Sequence, residues 1–373
     1  MKTLKLKRIG ILMEPEPNNP MEAGGVLNPA AARGRDGNLY LFPRIATKDN
    51  YSRIGIVKVL FNNAGDPIDV ERIGIALEPE ADYEKRPDGG GGCEDARVTY
   101  VEPLERYIMT YTAFSPDGPR IALAQSQDLL KWERIGLATY LPYENMAFNG
   151  INNKDACVFP MQIPSPHGHR ALGMLHRPLF PGTSPEEKMG HPWDKALDKH
   201  HESIWLSYCH IHPEKQESEK WDPAAFTSHR PLAVPVFDWE QIKIGSGAPP
   251  VMTRFGWMFC YHGVSESKNS TLEKQQLIYS AGLMFLSETD PYDITLRSFE
   301  PILEPTLPEE TVGVIANVVF PTGIDRRDDI GMPDRYDVYY GMADNRIGVA
   351  RLDLPENLDW YEHSQKDNDG TKS

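Results

Sequence analysis

The chain has no surplus of positive charge. Its 373 residues carry 39 Lys and Arg against 54 Asp and Glu, a formal net charge of −15. Binding along a nucleic-acid backbone needs a basic surface, so that class of partner is excluded, while a small local basic pocket is not. Cysteine is scarce: Cys93, Cys157, Cys209 and Cys260 stand far apart and form no CxxC pair. That spacing argues against a zinc site and leaves reduced thiols as the expectation. No apolar run approaches the roughly 20 residues that span a bilayer. The opening MKTLKLKRIGILMEPEPNN has basic residues but no long apolar stretch and no small-residue cleavage site. No signal peptide is expected, no membrane partner, and a cytoplasmic location. GGGG at 89–92 is followed by no Gly-Lys-Ser/Thr and is not a phosphate-binding P-loop; a mobile access loop is expected there. His191, His200 and His201 match no metal-ligand spacing and read as solvated side chains of an insertion, so no metal is expected.

What the chain does have is 32 Pro, 30 Gly, 16 Tyr, 13 Phe and 7 Trp. This composition favours many short strands and turns over long helices. A unit recurs. An aromatic-rich strand ends in a polar cluster, and a second strand of the form I-x-L-A-x-S follows. NLYLFPRIA is followed by SRIGIVKVL, RYIMTYTAF by RIALAQSQDLLKWERIG, and RALGMLHRP, after an insertion at about 181–201, by SIWLSYCHI. FGWMFCYHGVS precedes IYSAGLMFLSETDPYDITLRS, and RYDVYYGMADNRIGVARLDL closes the series. Five copies fit at a spacing of roughly 60 to 70 residues. Sheets of this kind bury both faces when stacked radially. The expected fold is all-β, a five-bladed β-propeller with long loop insertions. It forms one domain over 1–373, with a core of about 28–355 and a polar tail of about 362–373.

Each unit interrupts its apolar pattern with polar residues at the same point, where a propeller converges on its channel. Charge at inward positions is costly unless paired or functional. Collected there are Arg44, Ser52 and Arg53; Glu94, Asp95 and Arg97; Asn153, Lys154 and Asp155; His176 and Arg177; Lys243; Tyr261 and His262; Asp344 and Asn345. Carboxylates that bond hydroxyls suit a sugar. Clustered Arg, Lys and His suit an anion, phosphate first among them.

Six blocks carry a resemblance: EDARV (94–98), NKDACVFP (153–160), MLHR (174–177), KIGSGAPP (243–250), YHG (261–263) and YGMAD (340–344). In this order the chain resembles glycoside hydrolase family 130, the β-mannoside phosphorylases and related β-mannosidases, over about residues 28–350. Ala96 stands where the family often has proline. The resemblance implies a five-bladed propeller and Asp95 as the catalytic general acid, passing its proton directly or through a sugar hydroxyl. It implies sugar contacts from Arg44, Ser52, Arg53, Glu94, Asn153 and Asp344, and phosphate contacts from Lys154, Arg177, His262 and Lys243. It further implies a β-mannoside and inorganic phosphate as partners and no cofactor, with a homo-oligomer whose loops complete a neighbour's site as a possible assembly. Inverting phosphorolysis to α-mannose 1-phosphate is the favoured activity. An inverting β-mannosidase using water and a glutamate base, with Glu202 the candidate, is the alternative. A glycan-binding propeller without catalysis is the third reading.

Overall fold

A computed structural model describes residues 4–143, 148–180, 202–212, 226–268, 270 and 276–358. The 181–201 insertion with its histidines (but for the edge at Glu202) and the 362–373 tail lie outside the described residues. The regular structure of the described residues is almost all strand, and among them no helix is long and apolar enough to cross a membrane.

The strands follow one another as antiparallel meanders. β2 (Gly25–Arg33), β3 (Leu39–Ala46), β4 (Tyr51–Phe61) and β5 (Pro67–Leu77) form the first group. β6 (Gly91–Val101), β7 (Arg106–Ser115), β8 (Gly118–Ser126) and β9 (Glu133–Leu137) form the second. These two groups join in one eight-stranded sheet through a short parallel contact, Tyr51 with Gly91 and Ser52 with Gly92. β10 (Asn152–Pro164), β11 (Arg170–Leu179), β12 (Ile204–Cys209) and β13 (Thr227–Ala233) form a four-stranded sheet. β14 (Lys243–Ser246), β15 (Val251–Thr253), β16 (Gly256–Glu266), β17 (Leu277–Leu286) and β18 (Ile294–Arg297) form the next. The last sheet is β19 (Val319–Arg327), β20 (Met332–Met342), β21 (Arg346–Asp353) and, paired with β21, the N-terminal β1 (Lys7–Met13).

The repeating sequence unit is the middle strand pair of each group. The aromatic strands β3, β7, β11, β16 and β20 are second in their groups, buried on both faces, so they read as near-continuous apolar runs. Five apolar clusters hold the groups to one another. One joins β2–β5 to β6–β8, the next β7–β8 to β10–β12, the next β10–β13 to β16–β17, the next β16–β18 to β19–β21. The fifth joins β20–β21 and β1 back to β2–β4. The first strands also meet: β2 packs on β6, β6 on β10, β10 on β14 and β19 on β2.

The glycine run differs from expectation. Gly91 and Gly92 begin β6, with φ of 81° and 98°. A Cβ on Gly92 would stand 2.2 Å from the Ser52 carbonyl oxygen. Glycine is needed there because the backbone is left-handed and another backbone crosses it closely. All four cysteines are buried, and none of them forms a disulfide among the described residues.

A buried clamp recurs. Glu84, Glu240 and Glu310 are each fully buried just before the first strand of a group. Each accepts two N–H bonds from its own turn, a bond from an arginine of the outermost strand and one from a tyrosine of the second strand. Glu84 takes Arg134 (2.9 Å) and Tyr111, Glu240 takes Arg297 (2.6 Å) and Tyr261, Glu310 takes Arg8 (2.7 Å) and Tyr340. Glu22 and Arg72 form the same pair in the first group. A buried carboxylate is tolerable when its lone pairs are all met in this way.

Candidate active site

The first strands carry the site, and they carry it on bulges. Asn28 in β2, Asp95 in β6 and Asp155 in β10 have left-handed φ of 45°, 49° and 56°. Strand register shifts at each of these places, between Leu27 and Ala30, Glu94 and Arg97, and Lys154 and Cys157. Asn and Asp tolerate this conformation better than other side chains. A bulge takes one side chain out of the regular alternation and re-aims it. Three successive groups use the device at the same point.

Asp95 stands in a carboxylate group. Its Oδ1 accepts from Asn28 Nδ2 at 2.8 Å and faces Arg44 Nη1 at 3.5 Å. Arg44 donates from Nε to Ser52 Oγ (2.8 Å) and from Nη2 to Glu94 Oε1 (2.8 Å) and Asn50 Oδ1 (2.9 Å). Lys154 Nζ reaches Glu94 Oε2 at 3.3 Å. Burial pushes the Asp95 carboxyl up, but Arg44, Lys154 and Arg97, with the Asn28 bond, outweigh it and hold it below the usual range. Asp344, at the β20–β21 turn, behaves oppositely. Burial raises it to about 6, with Arg44 opposing and Asp95 and Glu94 adding repulsion. Of the two carboxyls, Asp344 therefore takes a proton at the higher pH.

A cation group adjoins it. Arg177 in β11 donates from Nε to Asp155 Oδ2 at 2.6 Å and from Nη1 pairs with Glu202. Burial works against the Asp155 charge, yet Arg177 and then His262 and Arg97 hold its carboxyl well below the ordinary range. Lys243 lies over the Tyr279 ring at 5.6 Å. Burial, followed by the nearby Arg177 charge, lowers its ammonium to about 7. His262 is fully buried, 3.6 Å from Asp155 Oδ2 and packed on Phe320 with ring centroids 4.5 Å apart. Neither ring nitrogen has a hydrogen-bond partner within the described residues. Burial brings it down to about 3, so it is neutral. Gly245 lets the two groups close: a Cβ there would lie 2.2 Å from Asp155 Oδ2 and 2.4 Å from His262 Cε1.

Two expected residues do not join these groups. Arg53 follows Ser52 on a strand, so it points to the opposite face. Its Nε donates to Glu78 at 2.9 Å. Asn153 likewise precedes Lys154 and turns into the interior, bonding Tyr140 Oη (3.1 Å) and His176 Nδ1 (2.9 Å). The sequence reading missed Asn28, Tyr279 and Phe320, and it collected Arg97 at the channel without assigning it a role. Arg97 donates from Nη1 to the Asp95 carbonyl (2.8 Å) and from Nε to the Gly247 carbonyl (2.6 Å), tying the Asp95 bulge to the turn after β14. The signal for Asn28 was present: NPA at 28–30 repeats the form of DAR at 95–97 and DAC at 155–157.

An all-β framework whose first strands gather hydrogen-bonded carboxylates among lysines and arginines fits an enzyme of carbohydrate chemistry. The sequence model of glycoside hydrolase family 130, described as beta-1,4-mannooligosaccharide phosphorylase, matches residues 6–363. The chain belongs to that family. It is 30% identical over 363 residues to a 1,2-beta-oligomannan phosphorylase of Thermoanaerobacter sp. (strain X514), covering 95% of this chain and 99% of the relative. It is 33% identical over 309 residues to a beta-1,4-mannooligosaccharide phosphorylase of Ruminococcus albus, covering 80% and 74%. The beta-1,2-mannobiose phosphorylase of Listeria innocua, solved with beta-1,2-mannobiose, has the same fold. Its TM-score is 0.66 at 22% identity, over 94% of this chain and 97% of that one.

Proposed function

We propose that the protein cleaves a β-mannoside by inverting phosphorolysis, giving α-mannose 1-phosphate and a shortened sugar. The observation that carries this is the set of cations, Lys154, Arg177 and Lys243, whose charges act on one another beside the site of Asp95, the carboxylate that Asn28 hydrogen-bonds. A hydrolase needs a second carboxylate free to deprotonate water, whereas phosphate as nucleophile needs cations and is repelled by an extra carboxylate. Glu202, the candidate base, is committed to Arg177. In the proposed reaction Asp95 protonates the leaving oxygen, directly or through a sugar hydroxyl. A phosphate oxygen attacks C1 from the opposite face, and the C1–O bond to the leaving sugar breaks. Arg44, Lys154 and Arg97 hold the Asp95 carboxyl below its ordinary range. Phosphate entering beside Lys154 and Arg177 cancels part of the positive field on it and raises its proton affinity. Arg44, Ser52, Glu94 and Asp344 hold the mannosyl unit in this scheme, with Tyr279 an aromatic wall. Phosphate is the co-substrate.

The five clusters that link successive groups, the fifth returning to the first, support a single closed five-bladed propeller with the two groups of side chains at its centre. The family also includes hydrolases. The position of Glu202 within the cation group is the feature that favours that second reading. Incubation with β-1,2- and β-1,4-mannobiose, with and without phosphate, separates the two. Mannose 1-phosphate formed only with phosphate is expected. Free mannose at a phosphate-independent rate sinks the proposal and makes Glu202 the first residue to mutate.

A further inference from the structure

The third group departs from its neighbours at one place. In the second, fourth and fifth groups the second-strand tyrosine binds a buried glutamate clamped by an outer-strand arginine. Tyr111 lies opposite the Asp95 bulge, and His176 lies at the equivalent place opposite the Asp155 bulge. His176 enters a different network. Its Nε2 meets Ser207 Oγ at 2.7 Å, Ser207 Oγ meets His229 Nδ1 at 2.8 Å, and His229 Nε2 meets the Leu141 carbonyl at 2.9 Å. His176, Ser207 and His229 are fully buried. Tyr140 and Phe148 wall both imidazoles, the Phe148 and His229 centroids lying 4.6 Å apart.

The direction of every bond follows from one end. A carbonyl can only accept, so His229 Nε2 carries the proton. With the imidazole neutral, Nδ1 accepts, and the Ser207 hydroxyl donates to it. Ser207 oxygen then accepts from His176 Nε2–H. His176 Nδ1 accepts in turn, and the group that must donate to it is Asn153 Nδ2. Burial lowers His176 and brings His229 down to about 4, so both stay neutral. One wire thus fixes two tautomers and one amide orientation. It ends on the residue before Lys154 and passes through the residue before Arg177.

We propose that Asn153, His176, Ser207 and His229 form a neutral positioning wire that holds the Lys154 and Arg177 backbone in place for phosphate, in the sheet where a Glu–Arg clamp would set a carboxylate behind the cations. The inference rests on the phosphorolysis reading. A neutral network anchors both strands of the Asp155–Arg177 pair from the side away from it and adds no negative charge near the anion.

Two measurements test it. In the wild-type protein, ¹⁵N-edited spectra of the histidine rings should show His176 and His229 as neutral Nε2–H tautomers between pH 5 and 8. An Nδ1–H tautomer, or protonation of either within that range, overturns the wire. For Ser207→Ala, titration calorimetry with inorganic phosphate should show affinity reduced roughly three- to thirty-fold, the range for residues acting on a site through others. KM for mannobiose should stay within about two-fold. A folded Ser207→Ala protein with unchanged phosphate affinity, or with both constants moved equally, overturns the positioning role. Wild-type protein that fails to bind phosphate at all overturns the phosphorolysis reading itself. If Ser207→Ala does not fold, the tautomers decide.

Discussion

Lys243 changes its charge close to neutrality. Burial and the Arg177 charge bring its ammonium to about 7. Below that pH it adds a third cation to the anion group; above it the group loses that charge. The affinity for a dianion should therefore fall as pH rises through about 7. Sulfate is the cleaner probe, because it does not itself titrate there. Competitive inhibition by sulfate should weaken through this region in the wild type. In Lys243→Arg the limb should vanish, since guanidinium stays charged. An unchanged limb in the variant assigns it to another group. Asp95 gives a sharper contrast. Asp95→Asn keeps the Asn28 and Arg44 neighbourhood but cannot supply a proton, so turnover should fall about 10²- to 10⁴-fold with sugar binding retained. Turnover within ten-fold of wild type would move the acid to Asp344, whose carboxyl burial raises to about 6. At this scale the sequence was informative where chemistry names a residue type. Glu94 pairs with Arg44 and Lys154, and Arg177 with Asp155, opposite charges that the polar blocks had placed side by side. It misled at Arg53, because strand alternation sends neighbours to opposite faces whatever their charge.

The element that repeats is a strand meander, bulged in the first strand of three groups and closed by a buried glutamate–arginine clamp in four. The clamp is a stability device, and its titration has a definite sign. Burial alone would raise the Glu84 carboxyl, but bonds from Arg134, Tyr111 and the Ala81 N–H hold it below its ordinary value. A carboxylate lowered on folding stabilises the protein above its unfolded pKa, near 4.3, and that contribution disappears as pH falls through the folded value. Glu84→Gln should cost about 3 kcal/mol at pH 7, by leaving Arg134 and Tyr111 poorly met. The deficit should shrink as pH is lowered below about 4. Urea unfolding of both proteins from about pH 7 down to about pH 2.5 checks this, and a deficit that does not change below about pH 4 would deny the ion pair its role. The second and third strands were legible because they are aromatic and apolar in alternation or throughout. The first strands were seen only as polar blocks preceding each unit. Their bulges break the period of two on which strand recognition depends.

For the whole molecule the N-terminal strand matters most. The sequence reading placed the core at about 28–355, yet β1 supplies the outer strand of the last group and Arg8 clamps Glu310. Its seven residues have a weak pattern with two register shifts, which hid it. A cue existed in Arg-Ile-Gly, which recurs at 8–10, 53–55, 72–74, 134–136 and 346–348, each time in a third or outermost strand. Removing residues 1–13 should cost at least about 3 kcal/mol, through the unpaired buried Glu310 alone. A thermal melt unchanged by the truncation would contradict the pairing of β1 with β21.

The central claim is that phosphate, not water, is the nucleophile, and its most direct test is to run the reaction backwards. The protein is given α- or β-mannose 1-phosphate with mannose as acceptor, and phosphate release is followed with formation of a β-mannoside. The account predicts both products from the α anomer and neither from the β anomer, because inversion links a β-mannoside to an α-phosphate. Consumption of the β anomer, or no synthesis from either by protein that cleaves β-mannobiose, would contradict it.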